Sequence, residues 1–150
     1  MTFSTRITVR SYELDALGHV NHAVYHQYAE VARGDAFEAA GCAWDSLFES
    51  RTGPVLLESH ITFRRELRKG DIVDVSCSAK FGTGKTFQLR QQITKLDGTV
   101  AAEITSTVGL MDLDARRLLP DPAAVLERAG VNLAMLTGQQ PPDGLSSELI

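Results

Sequence analysis

The sequence contains one long helical segment, and most of the chain after it has the pattern of β-strands. From about His22 to Ala40 the chain is rich in alanine, with Asn21 and Gly41 at the ends, where such residues favour the start and the stop of a helix. Small side chains let a helix approach its neighbour closely, so we expect this helix to pack tightly against a sheet. The residues predicted on its buried stripe are Tyr25, Tyr28, Ala29, Ala32, Ala36, Ala39 and Ala40.

Alternation of apolar and polar residues predicts five strands around this helix. The short connections at 68–71, 82–84 and Asp97-Gly98 indicate that the C-terminal strands form an antiparallel meander, and a brief helix is predicted over Asp121 to Ala129. The order predicts an α+β fold in which one face of a sheet covers a single helix. One helix cannot cover both faces, so association with a second copy is expected. The predicted strands are Phe3 to Arg10, 55–67, 73–81, 87–93 and 100–110.

Length and composition are ordinary for one globular domain. The 150 residues, 43% of them hydrophobic, predict a single domain at 1–137 and a disordered tail at 138–150. A net charge of −4 argues against a nucleic-acid binder. No apolar run suits a membrane span or a secretory signal. Cys42 and Cys77 lack metal-ligand spacing and are interpreted as reduced core residues, so we expect a cytoplasmic protein.

The segment from Tyr12 to Tyr25 carries the chemistry of most interest. It combines a carboxylate on a loop, Asp15, with a bend-permitting glycine, Gly18, and a helix start whose first N–H groups lack partners. A helix N-terminus stabilises developing negative charge, as the hydrolysis of an activated acyl group requires. On these residues alone, a turn or capping role for Asp15 is the more common interpretation.

The run Asp15 to Tyr28, written D-A-L-G-H-V-N-H-A-V-Y-H-Q-Y, resembles the signature of the 4-hydroxybenzoyl-CoA thioesterase family. The similarity continues through Glu30-Val31-Ala32-Arg33, and the order of elements agrees to about Asp112. The resemblance implies a hotdog fold, in which a curved five-stranded antiparallel sheet wraps a long central helix. It also implies homodimers whose sheets join edge to edge, often paired into homotetramers, with active sites at the subunit interface.

By the same resemblance, the chain is an acyl-CoA thioesterase that needs no cofactor. Asp15 matches the catalytic aspartate, which either attacks the thioester carbonyl or activates water. The backbone N–H of His22 matches the oxyanion donor, and Gly18 lets the loop bring the two together. Tyr25 and His19 are assigned to substrate binding. Lys85 is the first candidate for binding the nucleotide of coenzyme A. Weaker candidates are Arg64, Arg65 and Arg90, and for these three the favoured interpretation is a solvent-exposed position on a strand.

Other interpretations of the same residues stay open. His19, His22 and His26 have the spacing H-x-x-H-x-x-x-H, but no carboxylate or cysteine completes a metal site at matching spacing, so no metal is expected. Another branch of hotdog thioesterases uses a glutamate within the helix, for which Glu30 or Glu38 would be candidates. The strand residue Glu58 is left without a role.

Two further functions compete with acyl-CoA hydrolysis. One is hydrolysis of an acyl group from an acyl-carrier protein, and the other is binding of acyl thioesters without catalysis. A hotdog dehydratase is disfavoured because the helix lacks a histidine-containing dehydratase motif. The sequence does not identify the acyl group, because a pocket lined by Phe37, Trp44 and Phe48 would suit either an aromatic or an aliphatic one.

Overall fold

The computed structural model describes residues 3–138, and its main feature is one long helix against an antiparallel sheet. A single 3-10 turn at Ser11–Glu13 lies between the first strand and this helix. The helices are α1 (His22–Ala39), α2 (Trp44–Glu49), α3 (Pro122–Arg128) and α4 (Leu133–Thr137). The strands are β1 (Phe3–Thr8), β2 (Thr52–Phe63), β3 (Ile72–Phe81), β4 (Thr86–Lys95), β5 (Val100–Asp112) and the two-residue β6 (Arg117–Leu118).

The sheet has the strand order β1-β3-β4-β5-β2, and β6 pairs with the end of β5. Every pairing is antiparallel. The predicted fold class, an α+β hotdog fold with five main strands around a central helix, is therefore confirmed. Along β4 alternate residues are buried, as the period of two predicts, whereas β3 and β5 also bury adjacent residues at 77–79, 101–102 and 108–110.

The predicted meander holds for β3, β4 and β5 but not for β2. β2 pairs with β5 at the opposite edge, so residues 64–71 cross from one side of the sheet to the other. The predicted second strand is also too long, because the chain leaves the ladder after Phe63. The backbone N–H groups of Arg64 and Arg65 both donate to Ala101 O there. Apolar alternation continues through Leu67 because this side chain enters the core without belonging to the sheet.

The start and end of α1 agree with the sequence. The Asn21 side chain accepts the N–H of Ala23 at 2.9 Å and caps the first turn, while Gly41 adopts a φ of 93° just beyond the last turn. Ala29 and Ala32 are fully buried, which allows the close packing that the alanine stripe predicts. Ala39 is an exception, since it is exposed and not part of the buried stripe.

The remaining sequence predictions concern short or peripheral features. α2, α4 and β6 were not predicted, because five or six residues are too few to show a helical period and β6 has only two. Cys42 is half-buried and Cys77 buried, and both are free; burial raises the pKa of the Cys42 thiol to about 11. Between residues 3 and 138 no helix has the length and apolar character needed to cross a membrane. The predicted disorder of 138–150 falls outside the described residues, except for Gly138, which caps α4.

Candidate active site

Residues 14–20, here called the Asp15 loop, form a tight reversal of the chain ahead of α1. Leu14 and Val20 face each other in an isolated antiparallel bridge, and Asp15 N–H donates to His19 O at 2.7 Å. Gly18 N–H closes the turn on Asp15 O at 3.1 Å, with a φ of 80° that favours glycine at this position. The predicted role of Gly18, letting the loop bend, agrees with this geometry.

Only one of the two carboxylate oxygens of Asp15 accepts hydrogen bonds from its own loop. Its Oδ1 accepts the backbone N–H of Leu17 at 2.8 Å and that of His19 at 3.2 Å. Its Oδ2 has no partner within residues 3–138, and the residue is exposed. One oxygen therefore fixes the orientation of the carboxylate, while the other remains available to a water molecule or to a carbonyl carbon.

The first turn of α1 offers a main-chain hydrogen-bond donor. The N–H of Ala23 donates to the side-chain oxygen of Asn21, and the N–H of Val24 donates to the Asn21 main-chain carbonyl. The N–H of His22, the first helical residue, has no acceptor in the part of the chain that the structure describes. Such a donor at the positive end of a helix dipole is suited to an oxyanion.

A buried carboxylate that the sequence reasoning missed, Glu13, joins the loop to the helix. Its side chain accepts hydrogen bonds from the Arg10 backbone and guanidinium and, at 2.7 Å, from the Tyr28 hydroxyl of α1. Its main-chain carbonyl accepts the N–H of Asn21 at 2.9 Å. Burial alone would raise the pKa of Glu13, but the hydrogen bonds from Arg10 and Tyr28 outweigh it and hold that pKa at about 2. The ends of the segment that carries Asp15 are thereby held together.

His19 joins the Asp15 loop to the crossover at residues 64–71. Its Nε2 lies 2.5 Å from Oε2 of Glu66, while Glu66 Oε1 accepts two hydrogen bonds from Arg68. These hydrogen bonds from Arg68 lower the pKa of Glu66, and its attraction to His19 adds to the effect. Val20 N–H donates to Leu67 O at 2.8 Å, so main-chain contacts fix the same junction.

Tyr25 lies under this junction and is only 4% exposed. Its ring meets that of Phe63 edge to face, with centroids 5.0 Å apart. Burial raises the pKa of the Tyr25 hydroxyl, contact with the Leu67 backbone opposes the rise, and the charges of Glu66 and Asp15 add to it. The charge of Asp15 therefore reaches Tyr25, whose assignment to substrate binding stays a prediction.

A groove of about 500 Å³ runs along α1 beside β2, and we call it the α1 groove. His26, Glu30 and Arg33 form its polar side on the helix. His22 precedes His26 by four residues, so the same helical stripe leads from the free N–H into the groove. Apolar side chains line the remainder, among them Phe37, Trp44, Phe87, Leu89, Val108 and Leu110. Of the predicted pocket residues, Phe37 and Trp44 line this groove, and Phe48 stacks on Trp44 at 5.9 Å outside it.

Of the basic candidates, Lys85 lies apart from the Asp15 loop, whereas Arg64 belongs to the crossover at residues 64–71. Lys85 is exposed just before β4, whereas the far end of that strand, at Lys95, reaches Asp71 at the end of the crossover. A ten-residue strand spans roughly 33 Å, so Lys85 and Asp15 of one protomer lie at opposite ends of the sheet. The Arg64 guanidinium is in an ion pair with Glu103 and is mostly buried.

The other candidate groups have separate surroundings. The histidines do not converge, since His19 contacts Glu66 while His26 Nδ1 lies 3.4 Å from the Ser59 hydroxyl. Glu30 lines the α1 groove, whereas Glu38 is exposed and Glu58 lies on the exposed edge strand β2. Within residues 3–138 no three His, Cys, Asp or Glu side chains are grouped as metal ligands would be.

Comparison with known proteins agrees with this architecture. A family model described as the thioesterase-like superfamily matches residues 9–129. The long-chain acyl-CoA thioesterase FadM of Escherichia coli is 30% identical over 116 residues, which cover 77% of this chain and 87% of FadM. The crystal structure of YbaW, a probable thioesterase from Escherichia coli, is 27% identical with a TM-score of 0.77, covering 90% of this chain and 98% of YbaW. The Staphylococcus aureus protein SAV2348, solved in complex with CoA, is 21% identical with a TM-score of 0.79, covering 100% of this chain and 95% of SAV2348.

Fold and relatives together define a thioester hydrolase of the hotdog fold, which confirms the resemblance that the Asp15 to Arg33 motif carries. The chain belongs to the thioesterase-like superfamily.

The Glu13 cluster predicts a specific dependence of stability on pH. The pKa of Glu13 is about 2 in the folded protein against an ordinary 4.5, so its contribution is complete above about pH 4.5 and is lost as the pH falls toward 2. We expect Glu13→Gln to lower the free energy of unfolding at neutral pH by about 2–3 kcal/mol. The difference from the wild type should shrink as urea unfolding is repeated from pH 7 down to pH 3. Glu38→Gln, at an exposed position of α1, is the control and should match the wild type. A difference that stays constant with pH would contradict the assignment.

Proposed function

We propose that this protein hydrolyses the thioester of acyl-CoA to a free acid and coenzyme A, with Asp15 as the catalytic carboxylate. The observation that carries the proposal is the free Oδ2 of Asp15, on a loop whose ends Glu13 holds to the start of α1. The acyl-CoA thioesterase FadM and the CoA-bound SAV2348 support coenzyme A as the carrier.

Hydrolysis of a thioester requires mainly a carboxylate and a hydrogen-bond donor to the oxyanion. Asp15 Oδ2 either attacks the thioester carbonyl, giving a mixed anhydride that water then hydrolyses, or removes a proton from the attacking water. In both routes the carbonyl oxygen becomes an oxyanion, which the N–H of His22 stabilises. Thiolate is a good leaving group, so no strong acid is needed beside the sulfur.

The α1 groove is the proposed acyl site. It starts one helical turn beyond His22 and ends at Phe37 and Trp44, so an acyl chain whose carbonyl meets the His22 N–H would extend along the helix. The apolar lining compensates for removing the chain from water, at about 0.8 kcal/mol for each buried methylene group.

We also propose that the active form is a homodimer or homotetramer in the cytoplasm, built from a domain at 1–137. β2 is a twelve-residue edge strand whose outer edge has no pairing strand among residues 3–138, and it exposes about half of Leu56, Leu57 and Phe63. An apolar edge of this kind favours pairing with a second copy. Lys85 lies too far from Asp15 of its own protomer to share its site, so a role in nucleotide binding requires Lys85 of another protomer.

Asp15→Asn tests the catalytic assignment. The amide oxygen can still accept from Leu17 and His19, so the loop should keep its shape while nucleophilicity and basicity are lost. We expect kcat on the best acyl-CoA to fall about 10²-fold or more with KM little changed. Glu30→Gln, which alters a carboxylate of the groove, serves as the comparison and should keep kcat within a few-fold. A loss under threefold in Asp15→Asn, or a larger loss in Glu30→Gln, would refute the assignment.

The His22 position separates the main-chain donor from the imidazole. His22→Ala keeps the N–H and should retain most activity, whereas His22→Pro removes it and should lower kcat about 10² to 10³-fold. Proline is accepted at the first helical position, and Asn21 already has the φ of −57° and ψ of 135° that suit a residue before proline. Circular dichroism and sedimentation would confirm that both variants are folded and assembled. Equal damage from Ala and Pro would assign the role to the imidazole, and two harmless substitutions would place the oxyanion site elsewhere.

Assembly should be required for turnover. Specific activity is expected to fall on dilution, in step with the loss of the dimer measured by sedimentation velocity, because the α1 groove lies beside the β2 edge that the second copy would cover. A monomer with full specific activity at micromolar concentration would disprove this requirement.

A further inference from the structure

Arg33 places a permanent positive charge in the α1 groove. It follows His26 by seven residues and precedes Phe37 by four, so the three side chains project from one stripe of α1. All three line the groove. Arg33 is half-buried, whereas Glu30, three residues before it, is exposed. The arginine therefore lies on the sheet side of Glu30, inside the proposed acyl site.

The charge of Arg33 reaches the inner face of the sheet. Burial raises the pKa of the Cys77 thiol on β3 to about 12, and the positive charge of Arg33 opposes part of that rise. Cys77 belongs to the same buried cluster as Phe87 and Leu89, which line the groove. The Arg33 charge is thus felt among the apolar residues of the groove, not only at the solvent side of the helix.

No carboxylate of the described chain balances this charge. Within residues 3–138 the Arg33 guanidinium has neither an ion pair nor a side-chain hydrogen bond. Asp35 is turned toward β1, where it accepts the hydroxyl of Thr5 at 3.0 Å. Glu30 and Glu38 are exposed. Removing a charge from water without a partner is costly, so a ligand that fills the groove has to supply one or leave the guanidinium unsatisfied.

A carboxylate is the group that best satisfies a guanidinium. Its two oxygens accept two parallel N–H bonds in the plane of the arginine, and such charged bonds are stronger than those to a neutral oxygen. A methyl or methylene group at the same place would take water from the guanidinium and give nothing in return. The groove therefore favours an acyl group that is apolar along most of its length and anionic where it meets Arg33.

We propose that Arg33 binds a carboxylate at the far end of the acyl group, so that the preferred substrates are the coenzyme A monothioesters of dicarboxylic acids. The inference rests on the function proposed above. An acidic side chain of a second copy offers the same carboxylate chemistry, and the experiment distinguishes the two sources.

The position of Arg33 along α1 sets the length of the acyl group. Arg33 lies eleven residues after His22, which is roughly 16 Å along the helix axis. Helical side chains lean back toward the N-terminus, so the guanidinium is roughly 11 to 16 Å from the His22 N–H. An extended chain advances roughly 1.2 Å per bond, which corresponds to roughly nine to fourteen bonds between the two groups.

The test compares three acyl-CoAs at each of several chain lengths: the dicarboxylic monothioester, its terminal methyl ester and the unsubstituted acyl-CoA. We expect kcat/KM for the dicarboxylic substrate to exceed the other two by about tenfold at the best length. The methyl ester keeps the length and removes the charge, so it should lose the advantage. Short dicarboxylic substrates should show none, because their carboxylate does not reach Arg33.

Arg33→Met separates recognition from a structural role. It should abolish the dicarboxylic advantage and raise kcat/KM for the unsubstituted acyl-CoA of that length, because no guanidinium is left to lose water. Arg33→Lys keeps the charge without the two-pronged geometry and should give an intermediate preference. Arg6→Met is the control, since it removes a positive charge from β1 at the opposite edge of the sheet from β2, and it should retain the preference.

Two results would overturn the subsite. One is a series in which no chain length favours the dicarboxylic substrate, or in which Arg33→Met keeps the preference. The other is an Arg33→Met variant that lowers kcat/KM equally for all three substrates and weakens the dimer in sedimentation, which would assign the counter-charge to a second copy. Failure to hydrolyse any acyl-CoA would instead contradict the proposed function. In that case, calorimetric binding of thioether analogues with and without the terminal carboxylate would still decide the subsite.

Discussion

The geometry of the site depends on the buried carboxylate of Glu13. Its side chain binds Arg10 and Tyr28, while its main-chain carbonyl binds the N–H of Asn21, so one residue ties the end of β1 to the start of α1. A buried charge is costly unless hydrogen bonds surround it, and here they come from two side chains and a backbone N–H. Because Asp15 follows Glu13 by two residues, the same bonds restrict where the Asp15 loop can lie.

Local sequence signals were enough to predict α1 and the Asp15 loop. Asn21, Gly18 and Gly41 each act within a few residues of their own position, by capping or by adopting a positive φ, and the structure has them as expected. The role of Glu13 could not be predicted in this way, because its partner Tyr28 lies fifteen residues away on the helix. Only the observation that an acidic residue precedes the motif could have drawn attention to it.

The pairing of β2 with β5 could not be predicted from local sequence signals either, because it too depends on residues far apart in the chain. A turn at 68–71 suggests a hairpin, yet here it ends a crossover that lies against the Asp15 loop through Val20 and Leu67. The placement of β2 is thus determined by contacts between segments distant in sequence. It also decides the location of the groove, because β2 forms the wall opposite the polar side of α1, and a bulge near Leu57 interrupts its ladder there.

Two adjoining stripes of α1 have opposite packing requirements, and the proposed function uses both. The stripe at Ala29 and Ala32 has no bulk, so the helix approaches the sheet closely and is held rigidly. The neighbouring stripe at His26, Arg33 and Phe37 lies beside the edge strand, where larger side chains leave the groove open. The same rigid helix would then set both the N–H that meets the carbonyl oxygen and the wall that meets the acyl group. A shift of the helix against the sheet would move both together, which couples core packing at the alanines to the alignment of substrate with Asp15.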